Sequence, residues 1–176
     1  MFNFLKGFFK GTGTDGWVNS ARPMATLTAV HFRLNPKTGT SEPVAKRVAH
    51  GQVTDVGVRL LVDALQSSGT AAAAIALFKY HDSGTAGTGE GTADTQILGT
   101  TGMARVAGTQ AEGTASNVYS TVATIPYTGS FAVAEHGIFH ATSGATLLDR
   151  TVFGTLNVGS ADSIQFTYQL TTPSGG

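Results

Sequence analysis

The sequence predicts an all-β domain, an antiparallel β-sandwich or barrel of jelly-roll-like kind, with one short α-helix near residues 55–66 and an N-terminal arm. Three observations predict it. Short β-branched and aromatic runs recur between turns of Gly, Ser, Thr, Asn and Pro, the spacing expected of a sandwich or barrel. Only one stretch carries a convincing helical periodicity. The 176-residue chain contains 23 glycines and still more threonines, while charged residues make up only 12 %, about half the usual quarter. The domain is expected over residues 23–176, behind an arm and linker over residues 1–22.

Taken in order, residues 1–10 gather Phe2, Phe4, Leu5, Phe8 and Phe9 around Lys6 and Lys10, an aromatic density unmatched elsewhere. Either these rings tuck into the domain's own core, or they form an arm that buries them on a neighbouring surface. With Trp17 they are the candidate protein-interaction residues. The apolar stretch is too short for a secretory signal or for the roughly 20 apolar residues of a membrane span, and no membrane partner is expected. The following Gly11-Thr-Gly-Thr-Asp-Gly16 reads as a linker. It matches the G-x-G-x-x-G phosphate pattern, but neither a strand before it nor a helix after it supplies the context that pattern needs.

Residues 25–34 read as a strand ending at the turn Asn35-Pro-Lys-Thr-Gly39, and residues 44–48 as its return. Thr54 then has the place of an N-cap, with Asp55 in the first turn and Val56, Leu60, Leu61 and Leu65 at helical spacing. Residues 75–81 read as a buried strand. The polar stretch over residues 82–94 is a long loop whose Asp82, Glu90 and Asp94 lack the spacing of a calcium loop. Five more strands are expected over residues 103–107, 117–127, 131–140, 146–152 and 163–171.

The hairpin over residues 131–153 is the best defined. A four-residue loop at Ala141-Thr-Ser-Gly144 sets Glu135 opposite Arg150 and His136 opposite Asp149, two structural ion pairs on opposite faces. Glu135, His136, His140, Asp149 and Ser143 contain the residue types of a hydrolase triad. Yet Glu135 and His136 point to opposite faces of a strand, and Ser143 lies in a turn without a G-x-S-x-G elbow. His136 and His140 share a face without a third metal ligand. No catalytic residue, metal or cofactor is expected.

Charge and cysteine content narrow the role further. Eleven basic and eleven acidic side chains give zero net charge, which argues against nucleic acid as partner. A neutral, charge-poor surface does little to keep copies apart, so self-association is expected. The chain has no cysteine, which removes disulfides, thiolate metal sites and thiol catalysis.

Several segments resemble small all-β virion proteins of tailed bacteriophages: Phe78-Lys-Tyr-His-Asp-Ser-Gly-Thr85, Arg105-Val-Ala-Gly-Thr-Gln110, Glu112-Gly113, Asn117-Val-Tyr119, Ala134-Glu-His-Gly-Ile-Phe139, Leu147-Leu-Asp-Arg150 and Asp162-Ser-Ile-Gln-Phe-Thr-Tyr-Gln-Leu-Thr171. The resemblance covers roughly residues 53–176, leaving the phenylalanine-rich start outside. The resemblance implies a capsid decoration or cement protein, made in the host bacterial cytoplasm and carried on the virion's capsid surface. Its partners would be the major capsid protein and further copies of itself, as a homotrimer. The alternative it implies is a tail, fibre or baseplate component that binds other tail subunits or a host surface glycan. A cell-wall hydrolase would need a carboxylate pair or zinc triad, and the sequence offers neither.

Overall fold

The computed structural model describes residues 23–66, 73 and 77–172. The aromatic residues Phe2, Phe4, Leu5, Phe8 and Phe9, together with Trp17 and the whole expected arm, lie outside the described residues. Among the described residues, nine strands and the helix α1 follow in chain order: β1 Met24–Leu34, β2 Ser41–Val53, α1 Asp55–Gln66, β3 Tyr80–Gly84, β4 Val106–Ala107, β5 Thr109–Glu112, β6 Val118–Pro126, β7 Phe131–Phe139, β8 Leu147–Val158 and β9 Ser163–Thr171. All strand pairs are antiparallel, in the order β4-β3-β7-β8-β2-β1-β9-β6-β5.

The two edge strands of that order, β4 and β5, are separated in the chain only by Gly108. One extended segment therefore pairs with β3 on one side of Gly108 and with β6 on the other, and so curls the sheet nearly into a closed barrel. The Gly108 amide donates to the Lys79 carbonyl at 2.7 Å. A Cβ at Gly108 would strike the side chains of Thr121 and His81, so the segment can change partners there only because no side chain is present. Opposite this corner the barrel is joined less completely. β2 pairs with β8 only at Gln52 and Val53, while the Arg47 side chain reaches across to the carbonyls of Gly154 (3.1 Å) and Thr155 (3.4 Å).

The alternation of the long strands explains the core. Ala25, Leu27 and Ala29 of β1, and Ile164, Phe166, Tyr168 and Leu170 of β9, are buried at every second position, as a half-solvated sheet requires. They meet Val133, Ile138, Phe153 and Leu156 from β7 and β8. The β1–β2 turn forms as its residues demand: Asn35 Oδ1 accepts the Lys37 amide at 3.0 Å and Gly39 adopts φ +70°. Thr54 caps α1, its Oγ1 accepting the Gly57 amide at 3.1 Å and donating to the Leu147 carbonyl at 2.6 Å.

Four expectations need correction. β2 is much longer than residues 44–48. The strand expected over 75–81 begins among the described residues only at Tyr80 and runs on to Gly84, into the stretch read as loop. Thr109–Glu112 was not foreseen as a strand. The β7–β8 register is also different: Glu135 pairs with Val152, His136 with Thr151, Gly137 with Arg150 and Ile138 with Asp149. Irregularities between Ile138 and Phe139 and between Val133 and Glu135 absorb extra residues, Leu148 among them, and shift the middle of the hairpin by two positions. A shift of two preserves the faces, so Glu135 and Arg150 remain neighbours, now on the diagonal.

Candidate functional site

Three features carry the side-chain chemistry of this framework, beginning with a clamp on the outer face of β7 and β8. Glu135 and Arg150 are both fully buried, with the Arg150 Nε 2.7 Å from Glu135 Oε2. The Glu135 carboxylate also accepts the backbone amides of Ala86 (3.1 Å), Leu98 (3.1 Å) and Gly99 (2.5 Å). Arg150 donates to the carbonyls of Thr88 (2.9 Å) and Gly89 (3.3 Å) and to Asp94 Oδ2 at 3.1 Å. Burial lowers the Arg150 pKa, but its bonds to Glu135 and Asp94 outweigh that and raise it. Every contact of the pair beyond itself runs to the loop between β3 and β4. The pair fastens that loop onto the barrel wall.

The carboxylates of this loop do not converge on a cation. Asp82 receives Arg105 Nε at 2.9 Å, and Asp94 receives Arg150 and the Gly91 amide. Arg105 in turn lies 3.4 Å from the Phe139 ring centroid and donates to the Ala141 carbonyl, closing the other end of the loop. Among the described residues no group of three or more His, Asp or Glu is placed to hold a metal.

The second feature lies inside the barrel. His136 does not bond to Asp149; its Nε2 sits 3.0 Å from His81 Nδ1, and His81 Nε2 reaches Thr121 Oγ1 at 3.2 Å. The His136 ring also packs on Phe166, with centroids 4.6 Å apart. Asp149 takes a 2.7 Å hydrogen bond from Thr151 instead. His136 Nδ1, Asp149 Oδ2 and the Tyr168 hydroxyl are buried without a partner. The register explains the separation, because Thr151 rather than Asp149 lies across from His136. Burial lowers His81 to about 3, and burial followed by the neighbouring His81 lowers His136 well below its ordinary value. Burial raises Asp149 to about 7, with Thr151 opposing the shift and Glu90 adding to it. Both histidines are therefore neutral near pH 7. His140 stands apart: its Nδ1 accepts the Thr146 amide at 3.0 Å and closes the β7–β8 turn.

Among the described residues, Ser143, His136, His140, Glu135 and Asp149 do not come together as a triad. Ser143 is an exposed turn residue, and the interior histidines face each other rather than a hydroxyl that opens to solvent. Two adjoining cavities at one end of the barrel lie elsewhere. One, of about 590 Å³, is lined by residues including Gln110, Glu112, Asn117 and Tyr119; the other, of about 190 Å³, by Leu61, Phe78, Tyr119, Leu148 and Leu170.

The third feature is exposed apolar surface. Met24, Val44 and Val48 stand out from β1 and β2, Val58, Val62 and Leu65 from α1, and Leu98 from the clamped loop. No helix among the described residues is long and apolar enough to cross a membrane.

Sequence reasoning paired Glu135 with Arg150, which the structure brings together, and His136 with Asp149, which it does not. It missed Asp94 and the loop amides as partners of that pair, and His81 as the partner of His136. No spacing rule joins positions 55 residues apart; only the sheet order does. Comparisons with protein-family models, with curated proteins and with solved structures find no match.

Proposed function

We propose that this protein is a structural component of a bacteriophage virion, a decoration or cement protein that binds the assembled capsid lattice and stabilises it. The observation that carries the reading is the pairing of a β-framework without net charge with apolar side chains left in solvent on several elements. Leu65 is 88 % exposed and Met24 and Val48 are each 58 % exposed. Single exposed apolar residues are ordinary, but their recurrence on a surface with no net charge suits a molecule that ends up packed among others.

The role would be adhesive. A component that binds only the assembled lattice stabilises it by its binding free energy, and many weak contacts act together once copies are held side by side. Clamping the long loop to the barrel wall reduces the ordering cost of such contacts, because the surface is shaped before the partner arrives.

The test is reconstitution on heads assembled without this protein. Purified protein is expected to bind expanded heads in a fixed ratio and raise the temperature at which they break open. Deleting residues 1–22 is expected to weaken that binding. Density on the tail instead of the head, or heads that neither bind the protein nor gain stability, would overturn the proposal in favour of a tail, fibre or baseplate role.

A further inference from the structure

We propose that α1 is a self-association surface, through which two copies of this chain pair antiparallel about a two-fold axis passing near Leu61 and Val62. The inference does not depend on the viral role.

The helix is apolar on two sides. Gly57 is buried and Leu60, Leu61 and Ala64 are half-buried against the barrel, where Gly57 approaches the backbone of Leu148 closely enough that a Cβ would collide. On the far side Val58, Val62 and Leu65 form an i, i+4, i+7 stripe, 42 %, 42 % and 88 % exposed. A surface helix ordinarily presents polar residues there. Arg59 and Asp63 flank the stripe on one side, 3.9 Å apart and 82 % and 50 % exposed.

The order of those two charges identifies the partner. In an antiparallel pair related by a two-fold axis, each flank of one helix meets the same flank of the other. Centring the axis near Leu61 and Val62 sets Val58 against the second copy's Leu65 and the two Val62 side chains against each other. It also sets Arg59 beside the second copy's Asp63, twice over. The face is thus complementary to itself in both shape and sign, the requirement of an isologous contact. A parallel two-fold pairing brings opposite flanks together, so Arg59 of one copy would not meet Asp63 of the other. The patch is small beside the surface that a stable dimer buries, so the pairing is weak in solution and gains strength when other contacts hold copies together.

The experiment is sedimentation equilibrium on the full chain from about 10 µM to about 1 mM at low salt, with four variants. Wild type is expected to show a concentration-dependent mass. Val62→Asp is expected to weaken association at least tenfold, as is Arg59→Asp, which lines the shared flank with acidic side chains from both copies. The exchange Arg59→Asp with Asp63→Arg restores the opposite signs and is expected to bring the constant back to within about threefold of wild type. All these positions are exposed, and unchanged melting confirms that the variants fold. Deleting residues 1–22 separates the aromatic arm's contribution, and it is expected to leave the α1 effects in place. A wild-type mass that does not change with concentration overturns the proposal. So does association that survives Val62→Asp, or an exchange variant no better than Arg59→Asp alone. None of these results bears on whether the protein binds a capsid.

Discussion

Replacing Glu135 by Gln tests the clamp, because the change keeps the shape of the side chain and removes its charge. Each Glu135 oxygen faces two donors: Oε1 accepts the amides of Ala86 and Gly99, and Oε2 accepts the Leu98 amide and Arg150 Nε. Whichever way the glutamine amide turns, its NH2 group meets two donors. The fully buried guanidinium keeps only Asp94 as a carboxylate partner, and Asp94 is itself partly exposed. Removing one member of a buried ion pair costs about 3–5 kcal/mol. At roughly 2–4 °C per kcal/mol for a domain of this size, the melting temperature is expected to fall by about 6–20 °C. Thermal denaturation followed by circular dichroism measures the global effect, and amide hydrogen exchange at Ala86, Leu98 and Gly99 measures the local one. Exchange at these amides is expected to accelerate before the barrel strands open. Replacing both partners, as in Glu135→Leu with Arg150→Met, will not restore stability as it does for an isolated buried pair, because the loop amides and the carbonyls of Thr88 and Gly89 still lose their partners. A Gln variant that melts within about 2 °C of wild type with those amides still protected would refute the account.

Further predictions concern the barrel interior, its corner and the helix cap. Between about pH 4 and 6.5 the folded state holds a proton on Asp149 that the unfolded chain has released, while the unfolded chain binds protons on His81 and His136 that the folded state excludes. The histidines make stability rise with pH and Asp149 opposes them, since its raised pKa makes stability fall as pH climbs from about 4 to about 7. Asp149→Asn removes the opposition, so the slope of unfolding free energy against pH is expected to steepen by up to about 1.4 kcal/mol per pH unit. Urea denaturation of both proteins at intervals from pH 4 to pH 8 measures it, and parallel profiles would contradict the burial of an ionisable Asp149. Gly108→Val drives a branched side chain into Thr121 and His81 and is expected to cost at least about 1–3 kcal/mol in denaturant unfolding. Thr54→Ala removes the cap of α1 and is expected to cost about 1–2 kcal/mol, with Thr54→Ser recovering most of it; equal midpoints for Ala and wild type would count against the cap.

The parts of the fold that were legible in the sequence are those fixed by local chemistry. The alternation in β9, the Asn35 to Gly39 turn and the Thr54 cap are each decided by a handful of neighbouring residues, and each formed where expected. Thr109–Glu112 was illegible because, after the β-branched Thr109, Gln, Ala and Glu have little strand character of their own, and the segment is extended because β6 offers it a ladder. The β7–β8 hairpin was half legible. Opposite charges at Glu135 and Arg150 signalled a pair, but a pattern of period two is blind to a slip of two residues, and the irregularities that cause the slip have no residue signature here. The loop that completes the clamp contributes mainly backbone groups. Main-chain donors carry no sequence signal, so the role of Glu135 as an anchor for three amides emerges only once the chain is folded.

The seating of β1 between β2 and β9 has a consequence for biosynthesis. Its ladder with β9 joins residues Met24 to Phe32 to Ser163 to Thr171, so β1 waits for a strand synthesised long after it before its second edge is satisfied. Until then the nascent polypeptide carries an open, apolar-lined ribbon, the kind of edge that captures stray strands. The barrel therefore cannot close until β9 has been made, and a nascent chain stalled before Ser163 leaves the β9-side edge of β1 open.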